Sequence, residues 1–210
     1  MPIKSQILSS NNTTKLRLNL GSGLNKLDCF VSVDLIKFDG VEVVCDIGKD
    51  IWPWDNNSVD DAYCSHVIEH LNSSERVHFC NELYRVTKPE SEITLIAPHW
   101  ASCRAYGDLT HQWPPVSEFW FYYLNKNWRA VNAPHCDIEY NKDGYSCDFA
   151  ATLNYFINPI LAVQEAELQQ FAASNYKEAI YDIHAILVKN KIEIDRRGVE
   201  RLPKGSDASS

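Results

Sequence analysis

Two aspartates, Asp34 and Asp46, stand where short apolar runs give out, and a glycine pair, Gly21 and Gly23, follows another such run. Those residue types have a shared use. A carboxylate accepts hydrogen bonds from both hydroxyls of a ribose, and a glycine lets the main chain turn sharply and come close to a ligand with no Cβ between them. At the carboxyl ends of successive parallel strands, such groups face one crevice, so the combination reads as a nucleoside-binding edge. The glycine pair carries little alone, because the third glycine of a GxGxxG turn is missing and Asn25 and Lys26 occupy its neighbourhood.

Two further groups have reactive side chains. His66-Val67-Ile68-Glu69-His70 is an HxxEH sequence, which on a helix puts two imidazoles on one face as zinc ligands with the glutamate as base. Here it follows a strand-like segment and precedes Asn72, which reads as the start of the next helix, so the zinc-hydrolase reading ranks last. His99, Cys103, His111, His135 and Cys136 are spaced too irregularly to support a metal cluster.

The elements that must position these residues follow from the apolar pattern. Leu16 to Leu20, Phe30 to Asp34, Val41 to Asp46, Asp60 to Ser65 and Ile93 to Ala97 read as strands. Only Gly21 to Cys29 separates the first two, a shorter crossover than the dozen or more residues usual between parallel strands. Trp52-Pro53-Trp54 and the asparagines after it make a loop. Asn72 and Glu75 form a capping pair for a helix that carries Val77, Cys80, Leu83, Tyr84 and Thr87 to its stop at Pro89. From Pro98 to Phe149 the periodicity dissolves into a segment rich in aromatics and histidine, read as a lid or binding loop. Its Phe119-Trp120-Phe121-Tyr122-Tyr123 block divides between core packing and a lid. Ile160 to Ala173 reads as a helix and Ala179 to Val188 as a closing strand.

The expected fold class is α/β: a Rossmann-like three-layer sandwich, its sheet mostly parallel with an antiparallel closing strand and a short first β-β connection. With 210 residues, 45% of them hydrophobic, the chain suits a single domain over 1–192 and a disordered tail over 193–210. Met1 to Thr14 lacks the basic and apolar blocks of a secretory signal, and no apolar run approaches the roughly 20 residues that span a bilayer, so a cytoplasmic protein is expected. Seven cysteines without a CxxC pair argue against a disulfide framework or a cysteine zinc site. A formal charge of -8 with no run of lysines or arginines disfavours nucleic acid as a partner.

The chain resembles the class I S-adenosylmethionine-dependent methyltransferases, most closely the small bacterial and viral methyltransferase-domain type. The resemblance rests on Leu18-Asn19-Leu20-Gly21-Ser22-Gly23, Val31-Ser32-Val33-Asp34, Val44-Cys45-Asp46-Ile47, Trp52 to Asp60, Ser65-His66-Val67-Ile68-Glu69-His70-Leu71 and Glu82 to Pro89. It implies S-adenosylmethionine as cofactor, with contacts from Asn19, Gly21, Ser22, Gly23, Asp34, Leu35, Asp46, Ile47, Ser65, His66 and His70. Within that set, Gly21 to Gly23 would pass under the methionine moiety, Asp34 would hold the ribose, Asp46 and Ile47 would border the adenine, and Ser65 and His66 would close the pocket near the sulfonium. No obligate metal is implied. Gly107-Asp108-Leu109-Thr110-His111 resembles a segment that follows the fifth strand in related methyltransferases, which makes Asp108 and His111 the acceptor-side candidates for positioning or deprotonating the acceptor. At the fourth strand end Cys64-Ser65-His66-Val67 stands in place of the Asp/Asn-Pro-Pro-aromatic clamp of DNA amino-methyltransferases. A small-molecule acceptor is expected first, with a protein or structured RNA recognised by shape as the other acceptor classes. The alternatives are a protein that binds or degrades the cofactor without transferring methyl and, behind it, the zinc hydrolase.

Overall fold

The computed structural model describes residues 15–190; the N-terminal residues and the tail expected over 193–210 lie outside them. Among the described residues, seven strands form one sheet in the order β3-β2-β1-β4-β5-β7-β6. They are β1 (Arg17–Leu20), β2 (Val31–Asp34), β3 (Val43–Val44), β4 (Asp61–Ser65), β5 (Glu92–Pro98), β6 (Phe149–Ile157) and β7 (Ile180–Lys189). β1 to β5 run parallel, and β7 runs antiparallel to its neighbours β5 and β6. This is the Rossmann-like α/β fold.

Leu18 and Leu20 of β1, Val33 of β2, Ala62 and Cys64 of β4, and Ile93 and Leu95 of β5 are buried at the centre of the sheet. Full burial contributes about 1.5–3 kcal/mol for each of the larger side chains. α1 (Ser73–Val86) turns Phe79, Cys80, Leu83 and Val86 into the same core cluster. It begins where expected: Asn72 Oδ1 accepts from the Glu75 amide at 3.1 Å while Glu75 Oε2 accepts from the Asn72 amide at 2.9 Å, a reciprocal capping box. It ends at Thr87, two residues before Pro89, whose ring disfavours helical geometry at Lys88.

The short first connection is real and carries no helix. Ser22 N donates to Val33 O at 3.0 Å and Asn19 Nδ2 to Asn25 O at 2.8 Å, so polar bonds to the sheet fix the loop. β3 is reduced to a two-residue ladder at the sheet edge, shorter than the Val41 to Asp46 strand expected; Val41 and Cys45 are nevertheless buried. The Trp52-Pro53-Trp54 loop is held by Arg85, whose guanidinium donates to Trp52 O and Trp54 O and pairs with Glu82 Oε2 at 2.6 Å.

Three expectations are corrected in the second half. The segment 98–149 is not featureless: it holds α2 (Arg104–Gly107), α3 (Glu118–Tyr122), α4 (Lys126–Asn132) and a 3₁₀ turn, Pro134–Cys136. These helices are too short to display a period. Arg129, fully buried, organises them by pairing with Asp137 Oδ2 at 3.0 Å and donating to Tyr123 O and Cys147 O. The helix expected over Ile160 to Ala173 is two, α5 (Pro159–Ala162) and α6 (Ala166–Asn175), with Gln169 Nε2 donating to Ala162 O and Gln164 O across the break. β6 is an additional edge strand, largely exposed, which lacks the buried alternation that marks β7.

Cys45, Cys64, Cys80 and Cys147 are buried, Cys136 is half-buried, and Cys29 and Cys103 are exposed; all seven are free thiols. Among the described residues, no helix is long and apolar enough to cross a membrane.

Candidate functional site

Where β1 runs out, Gly21 and Gly23 adopt φ of +66° and +52°, the left-handed region that only glycine enters at little cost. At Gly21 space also requires glycine, because a Cβ would lie 2.3 Å from Val67 Cγ2, on the segment after β4. The loop is tied to the next strand end: Asp34 Oδ2 accepts from Gly23 N at 2.8 Å, and Asp34 Oδ1 accepts from Ile36 N at 3.0 Å. Each carboxylate oxygen holds two lone-pair sites, so one on each remains for a ligand donor.

After β3, Asp46 Oδ1 accepts from Gly48 N at 3.1 Å, and Lys49 Nζ bridges Asp46 and Glu75 at 3.3 and 3.1 Å. After β4 the chain turns sharply at His66, which is left-handed at φ 56°, and enters a 3₁₀ turn, Ile68–His70. HxxEH therefore does not lie on a helix. His66 faces Glu69 across 3.3 Å and not a shared metal-binding face, so the zincin layout does not form. That contact with a carboxylate raises the His66 pKa above its ordinary value.

These strand ends enclose a cleft of about 570 Å³. Gly21, Gly23, Asp34, Leu35, Asp46, Ile47, His66 and His70 line it, eight of the residues that the sequence put forward for a cofactor. Asn19, Ser22 and Ser65 do not. Asn19 and Ser22 are buried, Asn19 bracing the loop through Asn25, and Ser65 stands in the β4–β5 ladder opposite Ile96. Lys49, Val67, Leu71, Glu75 and Gln112 also line the cleft and were not expected. Glu75 had a signal, but as a cap; Gln112 had none, since its position depends on how the insert folds back.

A second cavity, of about 740 Å³, adjoins the first through His66 and His70, which line both. Its other walls come from Glu69, Pro98, Arg104, Gly107, Leu109 and the two acceptor-side candidates, Asp108 and His111. The insert is pinned here by Arg76, buried on α1, which donates to Ile68 O at 2.9 Å, Pro114 O at 2.6 Å and Gln112 O at 3.2 Å. Gln112 N also donates to Glu69 O at 2.7 Å. No motif marks Arg76, whose carbonyl partners are set only by tertiary structure.

Asp108 Oδ1 accepts from the amide and hydroxyl of Thr110 at 2.8 and 2.7 Å, which lowers the Asp108 pKa below the ordinary carboxylate value. Thr110 Oγ1 is 2.9 Å from His70 Nδ1, and His111 Nε2 is 3.9 Å from Asp108 Oδ2. The His70 and His111 rings meet edge to face with centroids 4.7 Å apart. The cluster thus presents imidazoles to a cavity that shares its His66 and His70 wall with the first cleft. His99 and His135 are not part of it: His99 pairs with Glu118 at 3.0 Å, and His135 sits in the Pro134–Cys136 turn.

Residues 28–95 match a family model described as a methyltransferase domain. That span includes Asp34, Asp46 and the 3₁₀ turn. Among solved structures the chain is similar to a SAM-dependent methyltransferase from Archaeoglobus fulgidus, at 18% identity over 83% of this chain and 86% of that one, with a TM-score of 0.57. It is also similar to geranyl diphosphate C-methyltransferase from Streptomyces coelicolor A3(2), at 13% identity over 83% and 73% of the two chains, TM-score 0.45. A third is phosphoethanolamine N-methyltransferase 2 from Haemonchus contortus, at 14% identity over 84% and 49%, TM-score 0.42. Likeness at these identities is a likeness of fold. No curated protein sequence matches the chain.

Proposed function

We propose that the chain is a class I S-adenosylmethionine-dependent methyltransferase, that the 570 Å³ cleft holds the cofactor and that the adjoining cavity receives a small-molecule acceptor for methyl transfer. The observation that carries this reading is that the two cavities share His66 and His70 as lining residues. A donor in one and an acceptor in the other would meet at that wall, and alignment of reacting groups is what such a transfer chiefly requires.

The residues of the first cleft fit an adenosine cofactor. Asp34 has an unused lone-pair site on each oxygen for the two hydroxyls of a ribose, and its bond to Gly23 holds the glycine loop against the same ligand. Gly23 has open space where a Cβ would project, so main chain can approach the ligand there. Ile47 gives an apolar wall for a purine, with Asp46 at its edge. When bound, the cofactor supplies a methyl group made electrophilic by the sulfonium. Gln112 brings the insert to the cleft and limits access of water.

On the acceptor side His111 carries the base role. Its side chain is 10% exposed, and its Nδ1 faces the Ala105 carbonyl at 3.4 Å, which leaves Nε2 to receive a proton from the acceptor. Asp108 Oδ2 lies 3.9 Å from that same Nε2 and is the second acceptor-side group. The insert 98–149 acts as the acceptor-selecting part of a single domain.

The test is calorimetric titration with S-adenosylmethionine and S-adenosylhomocysteine, followed by isotope transfer from methyl-labelled cofactor to panels of small hydroxylated and amino compounds, transfer RNA and protein. Binding of both ligands and label in the small-molecule panel are expected. Failure of both ligands to bind refutes the cofactor site; label only in RNA or protein refutes the acceptor class.

A further inference from the structure

We propose that Glu69, His70 and His111 bind one divalent transition-metal cation of the zinc type on the wall of the acceptor cavity. Each brings a donor atom to within 4.8 Å of the other two. The hydrogen bonds around them decide which nitrogens are free. Asp108 Oδ1 lies 2.7 Å from Thr110 Oγ1, and an ionised carboxylate has no proton to give, so the threonine hydroxyl donates to Asp108. Thr110 Oγ1 is then the acceptor in its 2.9 Å contact with His70, and His70 Nδ1 carries the proton. His111 Nδ1 faces the Ala105 carbonyl at 3.4 Å, again a partner that only accepts. Both imidazoles therefore keep Nε2 as a bare lone pair. An oxygen that fixes the Nδ1 proton is the outer partner that orients metal-binding histidines and raises their basicity.

The third donor has an independent sign. Glu69 is 4% exposed, its Oε1 lies 3.3 Å from His66 Nδ1, and its buried Oε2 has no hydrogen-bond partner among the described residues. A buried carboxylate oxygen left in that state is costly, and a cation bound by it removes the cost. Asp108 Oδ2, 3.9 Å from His111 Nε2, adds negative potential. Two imidazoles and one carboxylate form a borderline donor set, suited to zinc and its first-row neighbours and unlike the all-oxygen shells of calcium or magnesium. Bonds of about 2.0–2.2 Å require the donor atoms to close up by about an ångström, which the exposed His70 ring permits. The set is not the HxxEH pair, since its second imidazole comes from the insert and His66 stands outside it.

Three protein ligands leave a coordination position open to the cavity, where a cation acidifies a bound hydroxyl. That use, which favours acceptors with an ionisable oxygen, rests on the methyltransferase reading; the binding of metal does not. A cation takes the His111 lone pair that otherwise receives the acceptor's proton, so base and ligand are alternative uses of one nitrogen.

The test is titration of chelator-stripped, full-length protein with Co(II) and with Zn(II), in a background where the exposed thiols are removed by Cys29→Ser and Cys103→Ser. One equivalent should bind, with weak d–d absorption and no thiolate charge-transfer band. His111→Ala and Glu69→Gln should each weaken binding by at least about 100-fold, and Thr110→Val, which removes the oxygen behind His70 together with its bond to Asp108, by about 10-fold. Thermal unfolding without metal monitors folding; should Glu69→Gln fail to fold, His111→Ala and Thr110→Val carry the test. Undiminished affinity in His111→Ala, or a thiolate band in the parent protein, overturns the site. S-adenosylhomocysteine binding is measured on the same metal-free samples. Ligand binding without metal binding refutes this proposal alone, and metal binding without ligand binding refutes the cofactor reading alone.

Discussion

Replacing Asp34 separates what its carboxylate does for the loop from what it does for a ligand. The half-buried carboxylate accepts two backbone amides, Gly23 N at 2.8 Å and Ile36 N at 3.0 Å. A hydrogen bond to a charged group is worth about 1.5–3 kcal/mol, but amides this near the surface regain water when the carboxylate is removed. Asp34→Ala is therefore expected to lower the unfolding free energy of the ligand-free protein by about 1–2 kcal/mol. The loss in binding is separate: with the remaining lone pairs engaged by a ribose diol, affinity should fall by about 1.5–3 kcal/mol, or roughly 10- to 150-fold. S-adenosylmethionine and S-adenosylhomocysteine should lose equally, because the diol is common to both. Asp34→Asn keeps one acceptor oxygen and should fall between parent and alanine variant on both scales. Urea unfolding without ligand reads the first effect and calorimetry the second. A folded Asp34→Ala protein that binds both ligands within twofold of the parent would refute the placement of the ribose, as would a loss confined to one of them.

Two other perturbations follow from the same coordinates. The hydrogen bond from His99 at 3.0 Å lowers the Glu118 pKa to about 2, so this group stabilises the fold above its unfolded value of 4.5 and loses that contribution as pH falls toward 2. At about 1.4 kcal/mol per pH unit, and discounted for a side chain 27% exposed, the loss is about 1–3 kcal/mol. Unfolding measured between pH 2 and 6 should show a shallower acid limb in Glu118→Gln, and superimposable limbs would contradict the pairing. Gly21→Ala meets both left-handed strain and a Cβ contact of 2.3 Å with Val67, whereas Gly23→Ala meets strain alone. The first should cost about 2–4 kcal/mol and the second about 1 kcal/mol in urea unfolding, and equal costs would rule out the packing explanation.

The sheet was legible because its signals are local. β1, β2, β4, β5 and β7 are short apolar or alternating runs with turn residues at their ends, and the Asn72–Glu75 box lies within one turn of helix. The strand-end groups Gly21, Gly23, Asp34 and Asp46 were legible too, because parallel strands deliver their carboxyl ends to one edge whatever the connections do. Asn19, Ser22 and Ser65 lie outside the cleft lining for the same reason in reverse, since neighbours in sequence alternate between the cleft and the interior of the sheet. β6 was missed because an exposed edge strand need not show the alternation of buried residues by which a strand is recognised.

Sequence by itself determined the fold class, the strand ends that face a common cleft, and the glycines and aspartates that stand there, all carried by patterns a few residues long. Tertiary structure alone decided that Arg76 would rivet the insert across the turn after β4, that Gln112 would reach the cleft, and that Glu69 and His70 would meet His111. Those contacts join segments remote in sequence, and no local propensity encodes which carbonyl a buried guanidinium will find or which two imidazoles will share a wall.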